Sequence, residues 1–181
     1  MQDMTKSKKK PEEKDHAKEN AHCGYLSIVE MVAALNCDYD RLEKLRDECD
    51  AWESKEEADG KVKPWAIANE NDAAELAALE EVAGECESQD DACQRIDEDP
   101  LDIRVRTGWN ALGEQGVNEE FEILLTTGGP ALRIRGELDG NQEPKLAWLE
   151  YQDWGTPWTQ YVGADQDTLL AYCRHFCWEV G

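Results

Sequence analysis

The sequence predicts an α+β fold: an acidic N-terminal helical region, then an antiparallel β-meander of about four strands closed by a C-terminal helix. Three observations carry that expectation. Between Leu26 and Glu98 apolar residues recur at three- and four-residue spacing, with charges between them. From Leu101 onward they alternate singly, and Gly-containing turns separate the runs. Near the C-terminus the helical spacing returns. The 181 residues therefore divide into a tail at 1–22, an acidic helical region at 23–100, and a sheet with its closing helix at 101–181. From residue 22 onward one compact domain is expected.

Residues 1–22 contain no Val, Ile, Leu or aromatic side chain, and they hold six Lys against five acids. Such a segment buries too little apolar surface to offset the entropy of ordering, so it reads as a disordered tail. The first helix follows, with Leu26, Val29, Val32 and Leu35 on one side. Ser27 and Glu30, three apart, have the form of a capping box at its start. After the interruption at Asn36-Cys37-Asp38, a second helix carries Tyr39, Leu42, Leu45, Cys49 and Trp52, with Asp38 as its cap. Gly60 and Pro64 mark a loop. A third helix is expected from about Asn71 to Cys86, with Leu76, Leu79 and Val82 inward, and a short one from Asp90 to Glu98, stopped by Pro100.

In "LDIRVRTGW", Leu101, Ile103 and Val105 alternate with Asp102, Arg104 and Arg106, the pattern of a half-buried strand. Two further strands, Glu120–Thr126 and Ala131–Leu138, flank Gly128-Gly129, a pair suited to the positive φ of a tight hairpin. Asp139-Gly140-Asn141 marks the next turn and Lys145–Gln152 the fourth strand. In the closing helix Leu169, Tyr172, Cys173 and Phe176 share a face, and Asp165 or Asp167 is its cap.

Between these last elements lies "EYQDWGTPWTQY", Glu150–Tyr161, with two Trp and two Tyr in twelve residues. The step from Trp148 through Tyr151, Trp154 and Trp158 to Tyr161 imitates a helix, but Gly155 and Pro157 exclude one. Trp148 and Tyr151 then fall on opposite faces of a strand. Trp154, Trp158 and Tyr161 either form a ligand platform or seal the sheet against the closing helix. A nucleobase platform would want a basic surround, and Glu150, Asp153 and Asp165 supply the reverse.

Charge narrows the partners. There are 41 Asp and Glu against 19 Lys and Arg, a net charge of −22. Phosphates would be repelled at long range, which opposes direct binding to nucleic acid or to anionic membranes and favours a basic protein partner. No run approaches the roughly 18 apolar residues of a membrane span. Seven Cys at irregular spacing, without an N-terminal apolar run, argue against a secreted disulfide framework. A soluble protein of the cytoplasm with reduced thiols is expected.

Catalytic signals are weak. Cys173, His175 and Cys177 form C-x-H-x-C, but on a helix the His projects away from the two thiols, and no second ligand pair completes a tetrahedral set. "TTGGP" lacks the Lys-Ser/Thr of a phosphate loop. No catalytic residue, metal or cofactor is assigned, and a non-enzymatic role is expected.

The strings "LLTTGGPALRIRGELD" and "AWLEYQDWGTPWTQY" resemble a recurring set of uncharacterised small acidic proteins of bacteriophages and prophages. The resemblance covers roughly the last 80 residues, and the acidic helices more loosely. It implies a phage or mobile-element origin, hence the cytoplasm of a bacterial host, and carries no catalytic residues over.

From Asp38 to Asp99 there are 22 acids and seven bases. Carboxylates along helices can imitate a line of DNA phosphates and occupy the Lys/Arg groove of a nucleic-acid-binding host defence protein, as an inhibitor of restriction or CRISPR would. The candidate residues are Asp38, Asp40, Glu43, Asp47, Glu48, Asp50, Glu80, Glu81, Asp90 and Asp91. The alternatives are a ligand-binding protein or enzyme using the Trp154–Trp158 loop with Tyr161, and a structural or regulatory phage protein whose acidity is incidental.

Overall fold

The computed structural model describes residues 15–59, 63–114 and 116–178. In chain order the elements are α1 (His16–Leu35), α2 (Tyr39–Asp59), α3 (Trp65–Ala68), α4 (Glu70–Ala83) and α5 (Gln89–Glu98), then β1 (Asp102–Thr107), β2 (Asn118–Thr126), β3 (Ala131–Leu138), β4 (Pro144–Gln152) and β5 (Thr159–Gln160), and last α6 (Gln166–Cys173). The fold is α+β, and the strands form one antiparallel meander in the order β1-β2-β3-β4-β5.

α1 begins earlier than expected. Asp15 caps it by accepting from the Lys18 N–H at 3.0 Å, and Ser27 lies mid-helix rather than at a capping box. Residues 16–22, expected in the disordered tail, are the first turns of this helix, and Ala17 and Ala21 are buried in it. Ala is the best helix former and leaves room for close packing, so a segment without large apolar residues still anchors here. The rest of that tail, residues 1–14, lies outside the described residues.

The main core lies between one face of the sheet and α1, α5 and α6. Ile28 and Met31 of α1, Ile96 of α5, and Leu169, Tyr172 and Cys173 of α6 meet Phe121 and Ile123 of β2, Ile134 of β3 and Leu149 of β4. Burial alternates residue by residue along β3, as a one-sided sheet requires. At Gly136 the Phe121 ring and the Leu146 carbonyl occupy the space a Cβ would need. The β3–β4 turn is held by the Asp139 carboxylate, which accepts from the Asn141 and Glu143 N–H groups at 2.8 and 3.0 Å. Those bonds hold its carboxyl below the usual range.

In the β2–β3 hairpin only Gly128 takes a positive φ, of 103°. At Gly129 the exposed Trp154 indole rests where a side chain would be, so a Cβ there would have to displace that ring.

β1 alternates as expected, but its apolar side is not half-buried. Leu101, Ile103 and Val105 are 60%, 41% and 46% exposed, because α1 and α6 pack over β3 and β4 and stop short of this edge. Val82 of α4 is likewise exposed, and its inward place is taken by Ala83, which packs with Cys37 and Leu42 in a smaller cluster between α2 and α4.

α6 is capped by Asp165, not Asp167: the Thr168 N–H donates to Asp165 at 2.9 Å. The helix ends at Cys173, sooner than its apolar spacing suggests. The Cys173 carbonyl accepts the Phe176 N–H at 3.3 Å, in a tighter turn than the α-helix, and the Trp178 indole N–H at 2.9 Å, and together these satisfy it in place of a further helical turn. Phe176 therefore sits in the following turn, half-buried and edge-on to Tyr172 and Trp178.

Candidate functional site

α2 is capped by Asp38, whose side chain accepts from the Arg41 N–H at 3.0 Å. At 3.6 residues per turn, Leu42, Leu45, Cys49 and Trp52 make one stripe, and Leu42 and Leu45 are almost wholly buried. Asp40, Glu43, Asp47 and Asp50, spaced three, four and three apart, make the opposite stripe, and all four are exposed. The row runs about 15 Å along the helix axis at 1.5 Å per residue.

The two arginines of α2 flank its buried stripe and turn toward α4, while Lys44 stays exposed beside Glu48 of the same helix. Arg41 donates to Glu75 at 2.6 Å and reaches Asp72 at 3.3 Å, while Arg46 pairs with Glu80 at 3.3 Å. The hydrogen bond from Arg41, then its charge, holds the Glu75 carboxyl below its ordinary range, and the guanidinium is held up in turn.

The ten acidic candidates thus separate by what they already hold. Asp38 is a helix cap, Glu80 pairs with Arg46, and Glu48 pairs loosely with Lys44 at 3.9 Å. Asp91 accepts from the Glu87 N–H at 3.1 Å while its own N–H donates to Ser88, a reciprocal cap at the start of α5. The side-chain carboxylates of Asp40, Glu43, Asp47, Asp50, Glu81 and Asp90 have no hydrogen-bond or ion-pair partner among the described residues. Four of these six stand together on α2. Glu81 lies on α4 and Asp90 on α5, away from the row.

The three aromatic candidates do not share a surface. Trp154 is 77% exposed at the β2–β3 hairpin tip. Trp158 lies on the open face of the sheet, with the Arg133 guanidinium 4.0 Å from its ring centroid. Tyr161 turns into the core and its hydroxyl meets His22 Nδ1 at 2.8 Å. Nor do Cys173, His175 and Cys177 gather. Cys173 is buried, which pushes its thiol well up, His175 is bound to Asp97 at 2.9 Å, and Cys177 is exposed.

Sequence reasoning missed the open face of the sheet. Arg133 is clamped between Glu122 and Glu150, both at 2.7 Å, and Arg106 and Arg135 both reach Glu120. The signal was the Arg-x-Arg of "RIR" and "RVR" facing the Glu-x-Glu of β2, but cross-strand register is needed to pair them. These arginines neutralise the sheet's own carboxylates.

Comparison with protein-family models, curated proteins and solved structures finds no significant match to this chain. Among the described residues no helix is long and apolar enough to cross a membrane.

Proposed function

We propose that this chain is a non-enzymatic interaction protein of phage or mobile-element origin whose α2 enters the cationic groove of a nucleic-acid-binding host protein in place of DNA. The observation that carries the reading is the row Asp40, Glu43, Asp47 and Asp50, exposed and without partners, on a helix whose opposite stripe is packed. Neighbouring positions in the row have Cβ atoms about 5–6 Å apart, the spacing of same-face helix positions, and so present a line of negative charge. Such a line attracts Lys and Arg side chains arranged to track a phosphate backbone. A defence nuclease or a CRISPR effector has a groove of that kind, and blocking it would disable the enzyme without any reaction.

The test compares wild type with a variant carrying Asp40→Asn, Glu43→Gln, Asp47→Asn and Asp50→Asn. A control removes four charges elsewhere, through Glu143→Gln, Asp153→Asn, Glu98→Gln and Asp167→Asn. Each is immobilised and exposed to bacterial lysate at two salt concentrations, with duplex DNA as competitor. The expected result is retention of nucleic-acid-binding proteins by wild type and control, displaced by DNA and weakened by salt, and its loss in the α2 variant. Equal retention by all three proteins, or none displaced by DNA, overturns the reading.

A further inference from the structure

The two edges of the sheet differ. β5, at one edge, is two residues long, begins two residues after Pro157 and covers only Glu150 and Tyr151 of β4, whose uncovered stretch opens on Pro144, a residue with no N–H to give. β1, at the other, is six residues long, and among the described residues no strand pairs with its far side. An unpaired edge presents backbone N–H and C=O groups ready to continue the ladder. On β1 this edge also carries the uncovered apolar row of Leu101, Ile103 and Val105, each more than 40% exposed.

We propose that β1 is a homodimer edge, on which a second copy of this chain pairs antiparallel about a two-fold axis at Ile103. The argument is complementarity of the strand with itself. In a two-fold antiparallel pair, side chains of one face meet only if the axis passes through a residue, and axes at Ile103, Arg104 and Val105 each give a long overlap within Leu101–Thr107. With the axis at Val105, Arg104 faces Arg106 of the second copy. With the axis at Arg104, the two guanidiniums face each other. With the axis at Ile103, Leu101 lies opposite Val105 of the second copy, Ile103 opposite its own equivalent, and Asp102 opposite Arg104 of the second copy. Every pair is then apolar with apolar or acid with base.

Neighbouring features fit the same register. Among the described residues Arg104 holds only Asp102 of its own strand, so that ion pair exchanges across the axis without stripping another site. Arg106, already held by Glu120, falls opposite Pro100 of the second copy. Proline has no N–H to give, so the ladder ends there. The segment Asp102–Thr107 has one acid and two bases in a chain of net charge −22, which makes it the place where two such chains repel least. The product is a continuous ten-stranded sheet in which the two Asp102–Arg104 pairs carry the charge pairing of the open face across the seam.

Sedimentation velocity over a concentration series tests this, under reducing conditions because Cys23 and Cys177 are exposed thiols. Wild type should self-associate, and more strongly as salt screens the repulsion of the two acidic bodies. Ile103→Lys places two cations on the axis and should leave a monomer whose circular dichroism and melting temperature match wild type, since the site is at an exposed edge.

The charge swaps fix the register. Asp102→Arg and Arg104→Asp each turn two attractive pairs into two repulsive ones, which should weaken self-association roughly tenfold or more. Mixing the two variants restores both pairs and should give a heterodimer. A wild type that stays monomeric throughout, an Ile103→Lys variant as dimeric as wild type, or a mixture of folded swap variants that fails to associate overturns the proposal.

Discussion

Tyr172 of α6 is the most completely buried aromatic side chain among the described residues, and its hydroxyl donates to Asp99 at 2.6 Å, tying α6 to the end of α5 just before β1. Replacing it by Phe keeps the ring and removes only that bond. A hydrogen bond to a charged acceptor contributes about 1.5–3 kcal/mol. Asp99 is only half-buried and regains water when the donor leaves, so the lower part of that range applies, about 1.5–2 kcal/mol. For a chain of this size that is a fall of about 3–8 °C in melting temperature.

The pH dependence gives a second, independent reading. Burial, then the hydrogen bond and the charge of Asp99, raise the Tyr172 pKa far above its ordinary value. Below about pH 10, the unfolded value, both states hold the proton and its full contribution is present. Above it the unfolded chain loses the proton while the folded chain keeps it, so stability falls as pH rises, by about 1.4 kcal/mol per pH unit. Tyr172→Phe has no such proton, so wild type should lose its advantage between pH 9 and 11. Burial also raises Cys173 and Tyr151, but these act alike in both proteins and cancel. Urea denaturation followed by Trp fluorescence at several pH values measures both effects. A loss within 0.5 kcal/mol at pH 7, about the scatter of surface substitutions, or a gap that stays constant from pH 9 to 11 would refute the reasoning.

Deleting residues 1–22 should lower the melting temperature, because it removes the Asp15 cap, buried Ala17 and Ala21, and the His22–Tyr161 hydrogen bond; an unchanged transition would show that these turns add nothing. Gly136→Ala should cost about 1–3 kcal/mol as overpacking, and adding Phe121→Leu should recover only part, since the Leu146 carbonyl still blocks the methyl; full recovery in urea melts would refute the backbone clash. Asp165→Ala should destabilise at neutral pH. Hydrogen bonds from Thr168 lower the Asp165 pKa, so its contribution is present above the unfolded value near 4 and vanishes as pH falls through the folded one; thermal melts should therefore converge in acid.

The strands and two of the helix caps were legible because each depends on residues close in sequence. Alternation marked β2, β3 and β4, and Asp38 and Asp165 sit where an acceptor two or three residues before an amide must sit. The misplaced boundaries each depended on something distant or small. The start of α1 is anchored by alanines, and the end of α6 is set by an indole returning from Trp178. The exposure of Ile103 and Val105 depends on how far α1 and α6 reach across the sheet, which no periodicity encodes. The same holds for the acidic candidates: composition marks the region, but only the docking of α2 on α4 decides that Glu80 is paired and Asp47 is free.

That division of charge changes what a partner would meet. Arg41 and Arg46 are turned toward α4, Arg95 toward Glu30 of α1, and Arg106, Arg133 and Arg135 toward carboxylates of the sheet. These arginines are drawn into internal pairs, and the carboxylates left over face water, so the exposed side of α2, where Lys44 stands among Asp40, Glu43, Asp47, Glu48 and Asp50, is more anionic than the sequence average. The sheet edge is the opposite case, where an apolar row and one balanced Asp102–Arg104 pair lie exposed. The two proposed associations must then respond oppositely to salt. A cationic groove bound to α2 is released as charges are screened, whereas two copies joined at β1 are held more firmly once their mutual repulsion is screened. A single salt series on the wild-type protein, read for partner retention and for self-association, separates the two surfaces without any substitution.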